Sequence, residues 1–457
     1  MSRSTYHALI VVAWVLSGSH SGVFGQHTDH TVDREALPLR SDPDVETMTS
    51  QSGPLNLDAL EALALANNPT LQQGQAQIRA ARGAAYQAGL APNPVVGYVS
   101  DQVGINGTAG ELQGGYISQE IVTGGKLKLS RAKYMQRANI AQTNLYAQQQ
   151  RVLNDVRIQF YNTLASQQLV SVHEKLVANA EDNVETHREM LNIGQTSESD
   201  VLRVEVELQR DRLNLRKAQR EFEQNWRMLT SFTGVANLSN PGLSGSLASH
   251  DEALTWDHAL SQLLSTSPEL QAARQKIQHD QIAVRRERAQ PIPNLMIDVN
   301  SGRNFETHDN VVGLTAGINL PVFNRNRGTI EQAQADLSRS SAEIRRMELE
   351  LQNRLATEFQ MYETSRDRVE VYQMTILPKA KQAHEMLMES YRERRAPWTD
   401  ALTAQRLYLS LGAEYLDNLK QFREADVKIR GMLLTGGLTE PGPPIGGGHI
   451  DAVAQPR

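Results

Sequence analysis

LDALEALALANNPTL (Leu57 to Leu71) and WDHALSQLLSTSPEL (Trp256 to Leu270) are two versions of one segment. Asp58, Pro69, Leu71, Pro92 and Pro94 recur at Asp257, Pro268, Leu270, Pro291 and Pro293, always at one offset and without a gap. Further along, after small changes of offset, Val122 and Lys126 are answered by Phe323 and Arg327, and Asp200, Val201 and Leu202 by Asp400, Ala401 and Leu402. A tandem repeat of this length constrains architecture before any local reading. Residues 55–247 form the first unit and 248–437 the second. Each runs as a short helix, a medium helix, two strand-like stretches, one very long helix and a return helix.

The 457 residues contain only 5% aromatics, and Gln, Ala, Arg and Glu crowd the long middle stretches, so no single thick core is expected. The net charge of -6 comes from interspersed signs, which marks solvated helix faces and gives no support to nucleic-acid binding. Residues 1–25 have the layout of a secretory signal: Arg3, an apolar run from Ala8 to Leu16, and small residues before a cut at Gln26. Elsewhere no run reaches the roughly 18 apolar residues of a membrane-spanning helix. Cysteine is absent, which excludes disulfides, thiolate metal sites and a lipidated cysteine. Residues 26–54 read as a flexible lead-in and 438–457 as a disordered tail.

The stretch 126–191 contains neither Pro nor Gly, so it reads as one rod about 100 Å long. Its counterpart, 327–395, is as long but holds Pro378, which removes a helical donor and should bend the rod near Met374. Apolar positions are sparse and seam-like: Val204, Leu208, Leu215, Ala218, Phe222 and Leu229 in one return helix (200–232), Leu402, Leu409 and Leu416 in the other (400–433). Each return helix is about half as long as its rod, and a medium helix stacked on its end would supply most of the missing length.

Between medium and long helices the period changes to two. Val312, Leu314, Ala316, Ile318 and Leu320 alternate with Val311, Gly313, Thr315, Gly317 and Asn319 in the stretch 311–320. Leu295, Ile297 and Val299 do the same in 295–301, and weaker versions occupy 95–102 and 112–122. Such stretches, one face apolar and the other small or polar, are the pattern of transmembrane barrel strands. The links 101–110 and 301–310 read as exposed loops. A sheet in lipid must pair every backbone group, and barrels need at least about eight strands. Four strands therefore require at least two copies, and three would close a barrel of about twelve.

Over nearly its whole mature length the chain resembles the TolC-type outer-membrane efflux proteins. The resemblance is carried by Asn68-Pro69 and Ser267-Pro268, the run Gln119 to Lys126 (QEIVTGGK), the run Pro321 to Gly328 (PVFNRNRG), Leu377-Pro378, Tyr391, and the run Asp400 to Arg406 (DALTAQR). The GGK and FNRNRG segments are most similar to the heavy-metal branch, which serves cobalt, zinc and cadmium or copper and silver export. The resemblance implies a mainly α protein with a β-barrel segment: a homotrimer with a twelve-stranded barrel in outer-membrane lipid, continued by a twelve-helix α-barrel through the periplasm. It implies a passive exit duct that works with a periplasmic adaptor, or membrane fusion protein, and a proton-driven inner-membrane pump. It also implies that the helix-to-helix turns dock the adaptor and form the gate. Here these are Gly194, Gln195, Thr196, Ser197, Glu198 and Asp200 in the first repeat, and Arg394, Arg395, Ala396, Trp398 and Asp400 in the second. The second turn departs from the family pattern, with Arg394 where a glycine is usual and Pro397 and Trp398 added.

Asp200 and Asp400 read as N-terminal caps of the return helices; lining a cation-attracting constriction is the sharper alternative. No catalytic constellation, cofactor motif or metal site stands out among the twelve scattered histidines. His173-Glu174 and His384-Glu385 read as solvated helix surface, and His27, Asp29 and His30 could hold a divalent cation only loosely. A secreted periplasmic coiled-coil scaffold or adaptor without a pore would explain the signal and rods equally well, but not paired alternating strands at equivalent places in both repeats.

Overall fold

The computed structural model describes residues 53–101, 112–235, 238–248 and 252–442. The secretory signal, most of the lead-in, the first interstrand loop, the end of the tail and His27, Asp29 and His30 lie outside the described residues. The first repeat comprises α1 (Leu57–Asn67), α2 (Pro69–Gln87), β1 (Val95–Asp101), β2 (Leu112–Ile121), α3 (Lys126–Asn192) and α4 (Glu198–Thr233). The second comprises α5 (Trp256–Thr266), α6 (Pro268–Ala289), β3 (Leu295–Asn304), β4 (Asn310–Ile318), α7 (Arg327–Val371), a π-helical turn (Tyr372–Ile376), α8 (Leu377–Arg392) and α9 (Trp398–Arg430).

The two dipeptides that open the medium helices explain how short and medium helices abut. Asn68 caps α2 by accepting from Thr70 N at 3.0 Å, and Pro69 follows at the first helical position, where its missing N–H costs nothing. Ser267 caps α6 in the same way, accepting from Leu270 N at 3.5 Å. Asn68 also reaches across the chain: its Nδ2 donates to Phe232 O at 3.1 Å. That bond seats α2 on the C-terminal end of α4 and builds the composite rod beside α3. Gly234 closes the junction at φ +76°, where a Cβ would sit 2.6 Å from Asn67 O.

Two apolar cores lie where these pieces meet. Leu60, Leu63, Leu71, Val156, Phe160 and Leu229 fill the first, and Leu263, Leu270, Leu355, Phe359, Tyr362 and Phe422 the second. Above and below, the helices pack in thin layers, as the sparse seams require. The 67 residues of α3 make an unbroken rod of about 100 Å. Its counterpart is interrupted at Tyr372–Ile376, centred on Met374 and just ahead of Pro378. The π turn absorbs the donor that proline lacks.

The strands form one antiparallel sheet in the order β1-β2-β3-β4. β2 and β3 pair from Leu112 with Asn304 to Ile121 with Leu295, so the repeats are joined in the sheet as well as through the helices. β3 runs on to Asn304, past the end expected near residue 301. Asn304 N donates to Asp309 O at 2.9 Å, and its side chain accepts from Glu306 N and Thr307 N, which tightens the exposed loop.

Leu438 to Gly442, assigned to the disordered tail from sequence, run as a strap along the first repeat. Gln77 donates to Pro441 O, Thr70 to Gly437 O, and Gln148 to both Gly437 O and Thr439 O. The Asp155 carboxylate accepts from Gly436 N and Gly437 N at 3.0 and 2.6 Å. Glycine and proline there serve close backbone approach, which composition alone does not distinguish from disorder.

Candidate functional site

The register sorts the strand residues by face. Val96, Ile117, Val299 and Leu314 fall in one cross-strand row, and Tyr98, Ile121, Leu295, Ile297, Ala316 and Ile318 share its face. These side chains point into open space: Val96 is 76% exposed, Leu314 73% and Val312 66%. So large an exposed apolar face marks an interaction with lipid or another chain. The opposite face carries Tyr116, Ser118, Asp298, Asn300 and Thr315 among glycines, together with Val95, Val99, Leu112, Met296 and Val311. β1 and β4 each pair on one side only, so both edges of the sheet present unpaired backbone groups.

A polar junction locks this sheet to the helices. Lys126, the first residue of α3, donates from Nζ to Asn294 Oδ1 at 2.6 Å, and Asn294 Nδ2 donates to Glu120 Oε1 at 2.7 Å. Thr123 Oγ1 donates to Pro293 O. Behind it lie Arg286 and Glu287, 1% and 2% exposed and paired at 2.7 Å. Glu287 also accepts from Asn326 Nδ2, fixing the entry of the chain into α7. Sequence reasoning missed this junction, because its members lie far apart in the chain and show no periodicity.

Deeper in α6, His279 Nδ1 lies 2.8 Å from Asp280 Oδ1, while Lys276 and Ser340 donate to Asp280 Oδ2. Burial pushes the imidazole from 6.5 down to about 4, against the pull of Asp280 and with help from Arg137 and Lys133. Burial raises the Asp280 carboxyl, but hydrogen bonds from His279, Lys276 and Ser340 outweigh it and bring it to about 2. Between about pH 6.5 and 4 the unfolded chain therefore takes up a proton at His279 that the folded chain refuses. Stability should be full above that window and fall by up to about 3 kcal/mol on acidification through it. A further loss follows as Asp280 titrates. Unfolding midpoints recorded from pH 8 to 4.5 should show this slope in the parent chain and a flatter one in His279→Gln; equal slopes would exclude His279 as its source.

At the far end of the rods the two turns share a backbone. Gly194 and Arg394 both sit in the left-handed region, at φ +73° and +61°. Gln195 N donates to Met190 O at 2.8 Å, as Arg395 N does to Ser390 O at 2.7 Å. Their side chains differ. In the first turn Ser197 is the cap and Asp200 its reciprocal partner three residues on, while Thr196 Oγ1 also donates to Asp200. Hydrogen bonds from Ser197 and Thr196 hold the Asp200 carboxyl below its usual range. The cap is thus Ser197 rather than Asp200, and the spacing Ser-x-x-Asp was the signal that could have revealed it. In the second turn Pro397 occupies the cap position without a side-chain bond, so Asp400 caps nothing. Trp398, the first residue of α9, instead packs on Tyr391 with ring centroids 4.8 Å apart, and Arg395 pairs with Glu393. Since a left-handed conformation costs a non-glycine residue about 1 kcal/mol, Arg394→Gly should raise stability by that amount in denaturant unfolding, whereas Gly194→Arg should lower it.

His173 is half-buried and its imidazole is pushed down by burial, and His384 stacks on Tyr408. Among the described residues no group of three or more His, Cys, Asp or Glu could hold a metal ion, and no helix is long and apolar enough to cross a membrane.

A sheet with an apolar outer face and two open edges, set on rods too long for a globule, defines one wall segment of a membrane conduit. The chain matches the outer membrane efflux protein family over residues 60–235 and 259–433, both repeats in turn, and it belongs to that family. It is 25% identical over 390 residues to the cobalt-zinc-cadmium resistance protein CzcC of Cupriavidus metallidurans, covering 84% of this chain and 90% of the relative. Its fold is shared with the CusC channel (TM-score 0.67, 15% identity, 83% of this chain and 92% of that one). It is shared equally with the open outer-membrane channel MtrE of Neisseria gonorrhoeae (TM-score 0.67, 16% identity, 84% and 90%). The protein is an outer-membrane efflux protein.

Proposed function

We propose that three copies close into a twelve-stranded barrel and a twelve-helix tunnel, forming the passive exit duct of a tripartite exporter. A periplasmic adaptor and a proton-driven inner-membrane pump supply the cargo, and the duct itself catalyses no reaction. The observation that carries this reading is the pair of open edges at β1 and β4 on a sheet with an exposed apolar face. In lipid such edges must be paired, and further copies of the same sheet pair them. The turns Gly194 to Asp200 and Arg394 to Asp400 are the docking and gating ends. Their unlike side chains, a polar capping box in one and an aromatic pair in the other, favour unequal docking. CzcC is named for cobalt, zinc and cadmium resistance, and similarity to it supports divalent heavy-metal cations as cargo.

The test is the mass of the full chain purified in detergent, with the metal tolerance of cells whose own duct has been deleted. Three chains per particle and restored zinc, cobalt or cadmium tolerance are expected. A monomer that stays in water without detergent would end the duct reading; restored drug tolerance alone would redirect the cargo.

A further inference from the structure

Charge on the four strands is segregated by face. Asp101, Glu120 and Asp298 share the register parity of Tyr116, Ser118, Asn300 and Thr315, opposite the apolar face. Among the described strand residues no Lys or Arg shares that parity. The only strand cation, Arg303, falls on the apolar side, two residues beyond Ser301 and past the apolar band. With the apolar face against lipid, the inner wall of a barrel carries carboxylates without a cation on the strands to offset them.

The carboxylates differ in what faces them. Glu120 is bonded to Asn294, which in turn takes the Lys126 ammonium, so a cation stands one side chain away. Asp101 sits at the end of β1, next to residues outside the description. Asp298 lies in mid-strand, and its cross-strand neighbours are Ser118 and Thr315, both hydroxyls. No described cation lies within ion-pair distance of it. Gly313 and Gly317 on the same face leave the wall low beside it.

We propose that Asp298 is the residue that sets the charge selectivity of the barrel, so that the outer part of the duct passes cationic solutes in preference to anionic ones. The inference rests on the duct reading above. Rings of fixed carboxylates raise the local concentration of counter-ions along a pore wall, and their effect is felt by any charged solute whatever its identity. Asp298 would then match the wall to metal-cation cargo without binding it, since hydroxyl neighbours and open space offer no closed ligand set.

The absence of cysteine makes the test clean, because Asp298→Cys creates the only thiol in the protein. The full chain is reconstituted in planar bilayers and its reversal potential is read in a potassium chloride gradient. The parent channel is expected to prefer potassium. Asp298→Asn should lower the potassium-to-chloride permeability ratio about twofold or more. Modifying the Asp298→Cys channel with an ammonium-bearing methanethiosulfonate should lower it further, and a sulfonate-bearing reagent should restore it. Arg303→Gln, on the lipid face, should leave the ratio unchanged. A ratio that stays at the parent value in Asp298→Asn and after both modifications, in channels that still conduct, overturns the proposal. So does a thiol that fails to react. Absence of any channel from the parent chain overturns the duct reading instead.

Discussion

Leu314→Arg is expected to keep the protein out of the outer membrane. Leu314 lies mid-strand in β4, paired with Val299 and flanked on its face by Val312 and Ala316, and none of the described residues covers it. Placing an arginine on the lipid face near the bilayer midplane costs about 2–4 kcal/mol per strand. In the proposed trimer three copies would bear that cost together, enough to oppose insertion of the whole sheet. Thr315→Arg is the control, because the next residue along the strand faces the other way, towards Asp298. Membrane fractionation and detergent extraction should find Thr315→Arg assembled and Leu314→Arg degraded or soluble. If the two variants fractionate alike, the assignment of faces is wrong.

Glu287→Ala should be the most damaging single change among the helices. It removes the ion-pair partner of Arg286, which is 1% exposed and also donates to Ser130 Oγ. Removing one member of a buried ion pair costs about 3–5 kcal/mol. The same change removes one of the two acceptors of Asn326 Nδ2, the other being the backbone carbonyl of Glu287, at the φ +57° position where the chain enters α7. Damage should therefore spread into the sheet junction. Glu287→Gln keeps an acceptor for Asn326 and should fall between Glu287→Ala and the parent in thermal unfolding. A Glu287→Ala midpoint within a degree or so of the parent would mean that Arg286 finds another partner.

The repeat and the rods were legible in the sequence because each is written in periodicity or length. Pro69 and Pro268 mark the medium helices, the absence of Pro and Gly marks α3, and alternation from Val311 marks β4. Pro378 marks a bend near Met374, and the structure has a π-helical turn at that place. What stayed hidden depends on side chains meeting across long stretches of chain. Lys126 with Asn294, and Thr70 with Gly437, follow no period, and each becomes visible only when the elements are placed. The turn residues fall between these cases: their positions are readable from the glycine and the polar run, but which of Ser197 and Asp200 is the cap depends on side-chain geometry. Arg394 shows the converse, since a residue ill suited to the left-handed region holds that conformation because the packing of Tyr391 on Trp398 and the bond to Tyr391 O fix the turn around it.

The strap from Gly436 to Gly442 has a consequence for biogenesis. Gln148, Asp155, Thr70 and Gln77, all from the amino-terminal half, are satisfied by backbone that the ribosome makes hundreds of residues later. The leading half of the nascent polypeptide thus leaves a seam open until residues 436–442 have been made. A protein destined for the outer membrane must be threaded through the inner one before it folds, and a fold whose opening moves wait on its closing residues helps keep the travelling chain pliant.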